Sequence, residues 1–270
     1  MKIAITGATL IGRALLKHWE SRKEEVIIVS RSQKKAQRIV GDWSIVERSQ
    51  LTKDCLDAIE ICIHLSGKKI TSFPRNTKNK KEIRDSRIET TKKLVSLLPD
   101  SCHTFICASA VYYPSSKDFI YDEKYVNTHP QFMQKLCIER EKQALKATKK
   151  TRRVVMLRTL VIKGTFEERL KKLPFAFFRI VADGEQRMPL IDKEERVEKL
   201  DDILCHSHIS GPVNMICNRK YKDFIKDLCK KEERLIKIAP VIIRFFLGAY
   251  SSLILSSWRL ASIHEIKKSP

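Results

Sequence analysis

The chain has 270 residues, 43% of them hydrophobic, so it can bury a full core and disorder as its main state is excluded. With only 8 glycines and 9 prolines it is neither collagen-like nor low-complexity. Lys and Arg number 53 against 32 Asp and Glu, and a net charge of +21 suits anionic partners: phosphorylated ligands, nucleic acid or an anionic membrane surface. The positive charge is spread along the chain rather than gathered in one arm. That favours a generally basic surface over nucleic-acid binding.

The first half alternates apolar runs with amphipathic ones. KIAIT (2–6) predicts a buried strand, IGRALLKHWESR (11–22) a helix, and EVIIVSR (25–31) a second strand. AIEICIHLSG (58–67) predicts another strand. KKEIRDSRIETTKKLVSLL (80–98) predicts one long helix, and TFICASAVYY (104–113) a further strand. A helix over 131–148 and a strand over 152–162 complete the half. Strands apolar throughout, separated by helices, indicate a parallel sheet covered on both faces, an α/β doubly wound sheet of the Rossmann type. Past residue 164 the texture changes, so the division expected is 1–164 for a nucleotide-binding domain and 165–270 for a smaller C-terminal α/β lobe. There a helix, a proline break and a loop fill 166–190, GPVN (211–214) reads as a late strand, and 222–231 as a helix.

The stretch 238–257 is long enough to span a bilayer, but Arg244, Gly248 and four serines interrupt it. It reads as a mostly buried helix, with weak peripheral membrane contact as the lesser reading and no transmembrane span. The N-terminus reads as strand, turn and helix rather than a targeting leader. The 8 cysteines include no CxxC pair, and several lie in apolar runs, so free thiols in a reducing cytoplasm are expected. Cys205, His206 and His208 lack a second ligand pair at zinc spacing, and no metal is expected.

Between the first strand and first helix runs GATLIG. Gly7 and Gly12, with Thr9, Leu10 and Ile11 between them, form a turn at a helix N-terminus, where backbone N–H groups can cradle a pyrophosphate. Only four residues separate the glycines, one fewer than in a G-x-x-G-x-x-G loop, and no middle glycine is present. The second strand ends in Ser30 and Arg31 rather than in the acidic residue that would take a ribose 2′-OH. A guanidinium there favours a 2′-phosphate, and so NADP over NAD.

The stretches MKIAITGATLIGRAL, VSRS, HLSGKKI, IRDSRIETTKKLV, FICASAVYY, FMQKLCIERE, VVMLRTLVI, DGEQRMPLI and GPVN, taken in order, resemble the atypical short-chain dehydrogenase/reductases of the nucleoside-diphosphate-sugar epimerase family. Some members are also labelled cell-division inhibitors. The resemblance covers residues 1 to about 259, with SRIETTKKL and ASAVYY its most specific parts. It implies an extended short-chain dehydrogenase fold with bound NADP. It also implies cofactor contacts from Ser30, Arg31, Leu65, Ser66, Gly67, Glu82, Arg87 and Ile162.

Most enzymes of this kind use Tyr-x-x-x-Lys on a helix plus a Ser or Thr. Here the helix positions implied by the resemblance carry Cys137 and Glu141, and the strand-end hydroxyl is Ser109. A literal Tyr113–Lys117 match contains Pro114 and two serines and reads as a turn. Departures from the family pattern gather near the expected crevice: Arg140 stands for a tryptophan, Asp192 for a histidine, and Glu194–Glu195 for two aspartates. The reading is an NADP(H)-binding epimerase or oxidoreductase acting on a small molecule, with nucleotide-linked substrates among the candidates. Two alternatives stay open: a non-catalytic, cofactor-binding regulator, and a basic protein of nucleic-acid or membrane surfaces.

Overall fold

The computed structural model describes residues 1–68, 77–159, 184–215, 218–229, 239–247 and 255–264, less Thr9, Ser21, Lys23 and Gln131, together with three two-residue strands at 161–162, 180–181 and 236–237. In chain order the elements are β1 (Lys2–Thr6), α1 (Leu10–Trp19), β2 (Glu25–Ser30), α2 (Gln33–Val40), β3 (Ser44–Glu47), β4 (Ile61–His64), α3 (Thr77–Asp85), α4 (Ile88–Leu97), β5 (Thr104–Ser109), β6 (Ile120–Tyr121), α5 (Phe132–Leu145) and β7 (Arg153–Arg158). They continue with β8 (Val161–Ile162), β9 (Ile180–Val181), β10 (Arg187–Ile191), α6 (Lys193–Cys205), β11 (Gly211–Asn214), β12 (Asn218–Lys220), α7 (Tyr221–Cys229), β13 (Ile236–Lys237), α8 (Pro240–Leu247) and β14 (Arg259–Leu260).

Seven strands form one parallel sheet in the order β3-β2-β1-β4-β5-β7-β11. The chain runs outward from β1 to β3, then returns to lay β4 on the other side of β1. That reversal opens a crevice at the carboxyl ends of β1 and β4. Side chains alternate across the sheet, as strand geometry requires. Ile3, Ile5, Ile63, Ile106 and Val155 face α1 and α6, whereas Ala4, Cys62, Phe105, Cys107 and Met156 face α4 and α5. Both faces are buried, which accounts for the uninterrupted apolar runs. The fold is the α/β doubly wound sheet expected. β11 and α6 lie beyond residue 164 and yet complete the sheet and one of its faces.

Three features differ from the expectations. β3 was not foreseen, because SIVE is a half-exposed edge strand with a weak apolar signal. The helix predicted over 80–98 is two, α3 and α4, broken at Ser86 and Arg87. The Ser86 hydroxyl donates to the Ile83 carbonyl (2.8 Å) and accepts from the Lys68 backbone N–H (2.9 Å), competing with the helical ladder. In α8, Ile243 is buried but Val241 and Phe245 are 68% and 83% exposed, so the buried helix expected over 238–257 does not hold there. Two helical turns offer few positions for burial, and residues 248–254 lie outside the described part. Among the described residues no helix is long and apolar enough to cross a membrane, and no group of three side chains could hold a metal.

α1 and α6 are tied by one carboxylate. Asp201 accepts from the Trp19 indole (3.0 Å) and from both Arg22 terminal nitrogens (2.7 and 2.6 Å). Burial pushes its pKa up, but the hydrogen bonds from Arg22, Trp19 and His18 outweigh that and hold it below the usual value. A depressed native pKa means that the unfolded chain binds the proton more readily. The tie is therefore complete above the unfolded pKa of about 4 and is lost as pH falls through the native value. Asp201→Asn is expected to flatten the loss of stability between about pH 5 and pH 3 in urea titrations; an unchanged acid limb would show that Asp201 does not carry it.

Candidate functional site

The glycine loop is built by close backbone approach. Gly7 sits at φ +99°, and its N–H donates to the Val29 carbonyl (2.8 Å), so β1 hands the chain across the end of β2. A Cβ at Gly7 would lie 3.3 Å from the Ser66 backbone, and one at Gly12 only 2.7 Å from the Gly7 carbonyl oxygen. The start of α1 is thereby seated on the loop, and the positive end of a helix dipole favours an anion there. Ile11 is 4% exposed and belongs to the core, so among the expected contacts it can offer only its backbone. Thr9 and the side chains of Leu10 and Ile162 lie outside the described residues.

A cleft of about 640 Å³ opens beside this loop, lined by Thr6, Val29, Arg31, Arg48, Ser66 and Gly67 on one side and by Glu82, Asp85 and Glu89 on the other. A smaller hollow of about 110 Å³ is lined by Gly7, Ala8, Ser30, Arg31, Arg48, Ser66 and Gly67. The β2–β3 register pairs Ser30 with Glu47, so the next residues, Arg31 and Arg48, emerge together. Burial, and then the charge of Arg31, lower the Arg48 pKa. Its Nη1 donates to the Thr90 hydroxyl (3.2 Å). Arg48 was not singled out from the sequence, because it follows the unforeseen β3.

The crevice floor is polar. The buried His64 ring bridges the Thr6 hydroxyl (2.5 Å) and the Thr91 hydroxyl (3.0 Å). Burial, reinforced by Arg140 and Arg48, holds its pKa well below the usual value, so the ring stays neutral. Ser66 meets the Thr6 hydroxyl at 2.7 Å, while Leu65 packs against the core. Glu82 pairs with Lys68, and Arg87 lies against Gly67.

The three catalytic candidates stand differently. The β5–β7 register sets Ser109 beside Arg158, and the β7–β11 register sets Arg158 beside Asn214. The Ser109 hydroxyl donates to Glu141 Oε1 (2.5 Å). Arg158 donates to both Glu141 oxygens, at 3.0 and 2.8 Å, as well as to the Tyr112 and Tyr113 hydroxyls and the Glu123 carbonyl. Burial alone would lower the Arg158 pKa; the hydrogen bonds and charge of Glu141 outweigh it and raise it. Cys137, one turn before Glu141, is buried. Burial, and then Glu141, push its thiol up to about 11 against the pull of Arg140 and Arg87. Tyr112 is raised as well, by burial first and Glu141 second. The site thus holds a carboxylate paired with Arg158, a hydroxyl held by that carboxylate, and a thiol that stays protonated at neutral pH. Arg158 was legible as a charged residue closing the apolar run VVMLR.

Three comparisons bear on this geometry. Residues 3–200 match the model of the NAD dependent epimerase/dehydratase family. The chloroplastic epimerase family protein SDR39U1 homolog of Arabidopsis thaliana is 29% identical over 231 residues; the match takes in 79% of this chain but only 65% of the plant protein. The crystal structure of human epimerase family protein SDR39U1 with NADPH superposes with a TM-score of 0.73 at 21% identity, covering 96% of this chain and 90% of that one. The nucleoside-diphosphate sugar epimerase of Corynebacterium glutamicum gives a TM-score of 0.69 at 25% identity, covering 97% of this chain and 53% of its own.

Removing one partner of the buried pair leaves the other charge uncompensated. Arg158→Met is expected to cost about 3–5 kcal/mol in urea unfolding, and Arg158→Met/Glu141→Leu to recover most of it. A double variant no more stable than the single one would sink this account of the pair.

Proposed function

Since the chain belongs to the NAD dependent epimerase/dehydratase family, we propose that it binds NADP(H) in the crevice beside Gly7 and performs epimerase- or oxidoreductase-type chemistry on a small molecule. The observation that carries this reading is the bare backbone at Gly7 and Gly12 beside the paired guanidiniums of Arg31 and Arg48. The loop N–H groups and the start of α1 suit the diphosphate. Ser30, Arg31 and Arg48 suit the ribose 2′-phosphate. Ser66, Gly67 and Glu82 line the adenosine side. When bound, the dinucleotide supplies a hydride donor or acceptor.

The chain's own groups supply the rest. The Ser109 hydroxyl orients a substrate oxygen at the end of β5, and Glu141, held in place by Arg158, fixes that hydroxyl. Cys137 remains protonated at neutral pH and is the proton donor at this helix position for an oxygen gaining negative charge. A second reading, a cofactor-binding regulator without turnover, draws on one observation: Glu141 is fully engaged with Arg158 and Ser109. Hydride transfer to any carbonyl substrate that Cys137→Ala abolishes would refute it.

Calorimetric titration should find NADPH bound at least about tenfold tighter than NADH. Arg31→Ala and Arg48→Ala should each cost NADPH about 1.5–3 kcal/mol and leave NADH nearly unchanged. Equal affinity for the two dinucleotides would overturn the 2′-phosphate assignment, and no binding of either would overturn the cofactor reading.

A further inference from the structure

We propose that α8 is an interfacial helix, which docks the protein on the surface of a membrane containing anionic lipid. Pro240 opens the helix, where its fixed φ and missing N–H suit the first position. The Ala239 carbonyl accepts from the Ile242 and Ile243 N–H groups (3.0 and 3.3 Å). At about 100° per residue, Val241, Phe245 and Ile242 fall within one arc of about 100°, with Ile243 on the far side. Burial follows that wheel. Ile243 is 3% exposed, whereas Val241, Ile242 and Phe245 are 68%, 45% and 83% exposed. A single exposed apolar side chain is ordinary, but three on one face of a two-turn helix mark an interaction surface.

The charge around the helix identifies the partner. Residues 234–264 contain Arg234, Lys237, Arg244 and Arg259 and not one Asp or Glu, in a chain with 32 acidic residues. Arg244 is exposed and stands at the edge of the apolar arc, about 60° from Val241. An anionic lipid surface matches both parts of this face. The apolar side chains enter the boundary between headgroups and acyl chains, while the arginine reaches the lipid phosphates. The net charge of +21 draws the whole molecule to such a surface.

The length of α8 fixes the mode of contact. Eight residues extend about 12 Å, far short of the roughly 30 Å of a hydrocarbon core, so the helix lies in the interface and does not cross it. A second copy of the chain is a poorer occupant. A twofold contact through α8 would bring two Arg244 side chains together with no carboxylate from residues 234–264 to meet them. Three apolar side chains also fall well below the roughly 20–30 residues a side of a stable protein interface. The docking does not rest on the cofactor reading.

The test is flotation of the full chain with vesicles of phosphatidylcholine alone or with about one-third phosphatidylglycerol, beside light scattering of the protein without lipid. The wild type should partition onto the anionic vesicles at least about tenfold more strongly than onto the neutral ones, and about 1 M salt should shrink the preference. Val241→Ser/Phe245→Ser should weaken anionic-vesicle binding at least about tenfold. Its melting temperature should stay within about 2 °C of the wild type, because both side chains face water. Arg244→Glu should weaken binding about tenfold or more. Binding retained in the double variant would mean attraction by net charge alone and would overturn the proposal. So would equal binding to both vesicles, or binding to neither. A wild-type dimer that the double variant dissociates would give the face to a second copy and overturn it as well. Should the double variant not fold, Phe245→Ser and Arg244→Glu carry the same readouts.

Discussion

A guanidinium taken out of water is costly unless its charge and donors are met, and Arg158 is met by the Glu141 carboxylate. That requirement organises the carboxyl end of the sheet. Arg158 closes β7 and draws in α5 through Glu141, the segment after β5 through Tyr112 and Tyr113, and the Glu123 carbonyl. Tyr113 passes the connection to Asn214 of β11 (2.9 Å). Glu123 accepts from the Asn214 backbone (2.7 Å), the Ser262 hydroxyl (2.6 Å) and the Ile263 backbone (2.9 Å). One ion pair thus gathers two strands, a helix and the segment around β14 about a single polar knot. Trp258 donates its indole to the Tyr113 carbonyl (3.2 Å) and packs on its apolar flank.

The same knot explains how an unusual pair of residues can occupy α5. A lysine at position 141 would face Arg158 as a like charge, whereas a glutamate completes the pair. Ser109 then finds an acceptor in place of the phenol that the more common arrangement provides. The chemistry left to this corner is that of a hydroxyl and a neutral thiol.

Much of this was legible beforehand, and the exceptions have physical causes. The strands buried on both faces announced themselves as apolar runs, and Gly7 and Gly12 marked the turn. Ser109, Cys137 and Glu141 came through resemblance, and the structure sets the Ser109 hydroxyl on the Glu141 carboxylate. Arg48 escaped because its meaning depends on register: only the pairing of Ser30 with Glu47 carries it to the side of Arg31. The break at Ser86 escaped because serine and arginine are tolerable helix residues, and the competing hydrogen bond from Lys68 is tertiary. Ile11 shows how one residue can serve two ends. Its place in a phosphate loop describes its backbone, while the helical period sends its side chain to the core.

The strand order also has a bearing on the chain's birth. β7 is buried along its whole length, yet its outer neighbour β11 is made only after the fifty-odd residues from Arg158 to Gly211. At about 5–20 residues per second, a nascent chain would wait several seconds with the apolar edge VVML unpaired. The finished sheet has no such weakness. One margin is the short, half-exposed β3, and the other is β11, where Pro212 has no N–H to offer a stranger. The hazard is one of timing, and it falls on the ribosome and its chaperones rather than on the folded protein.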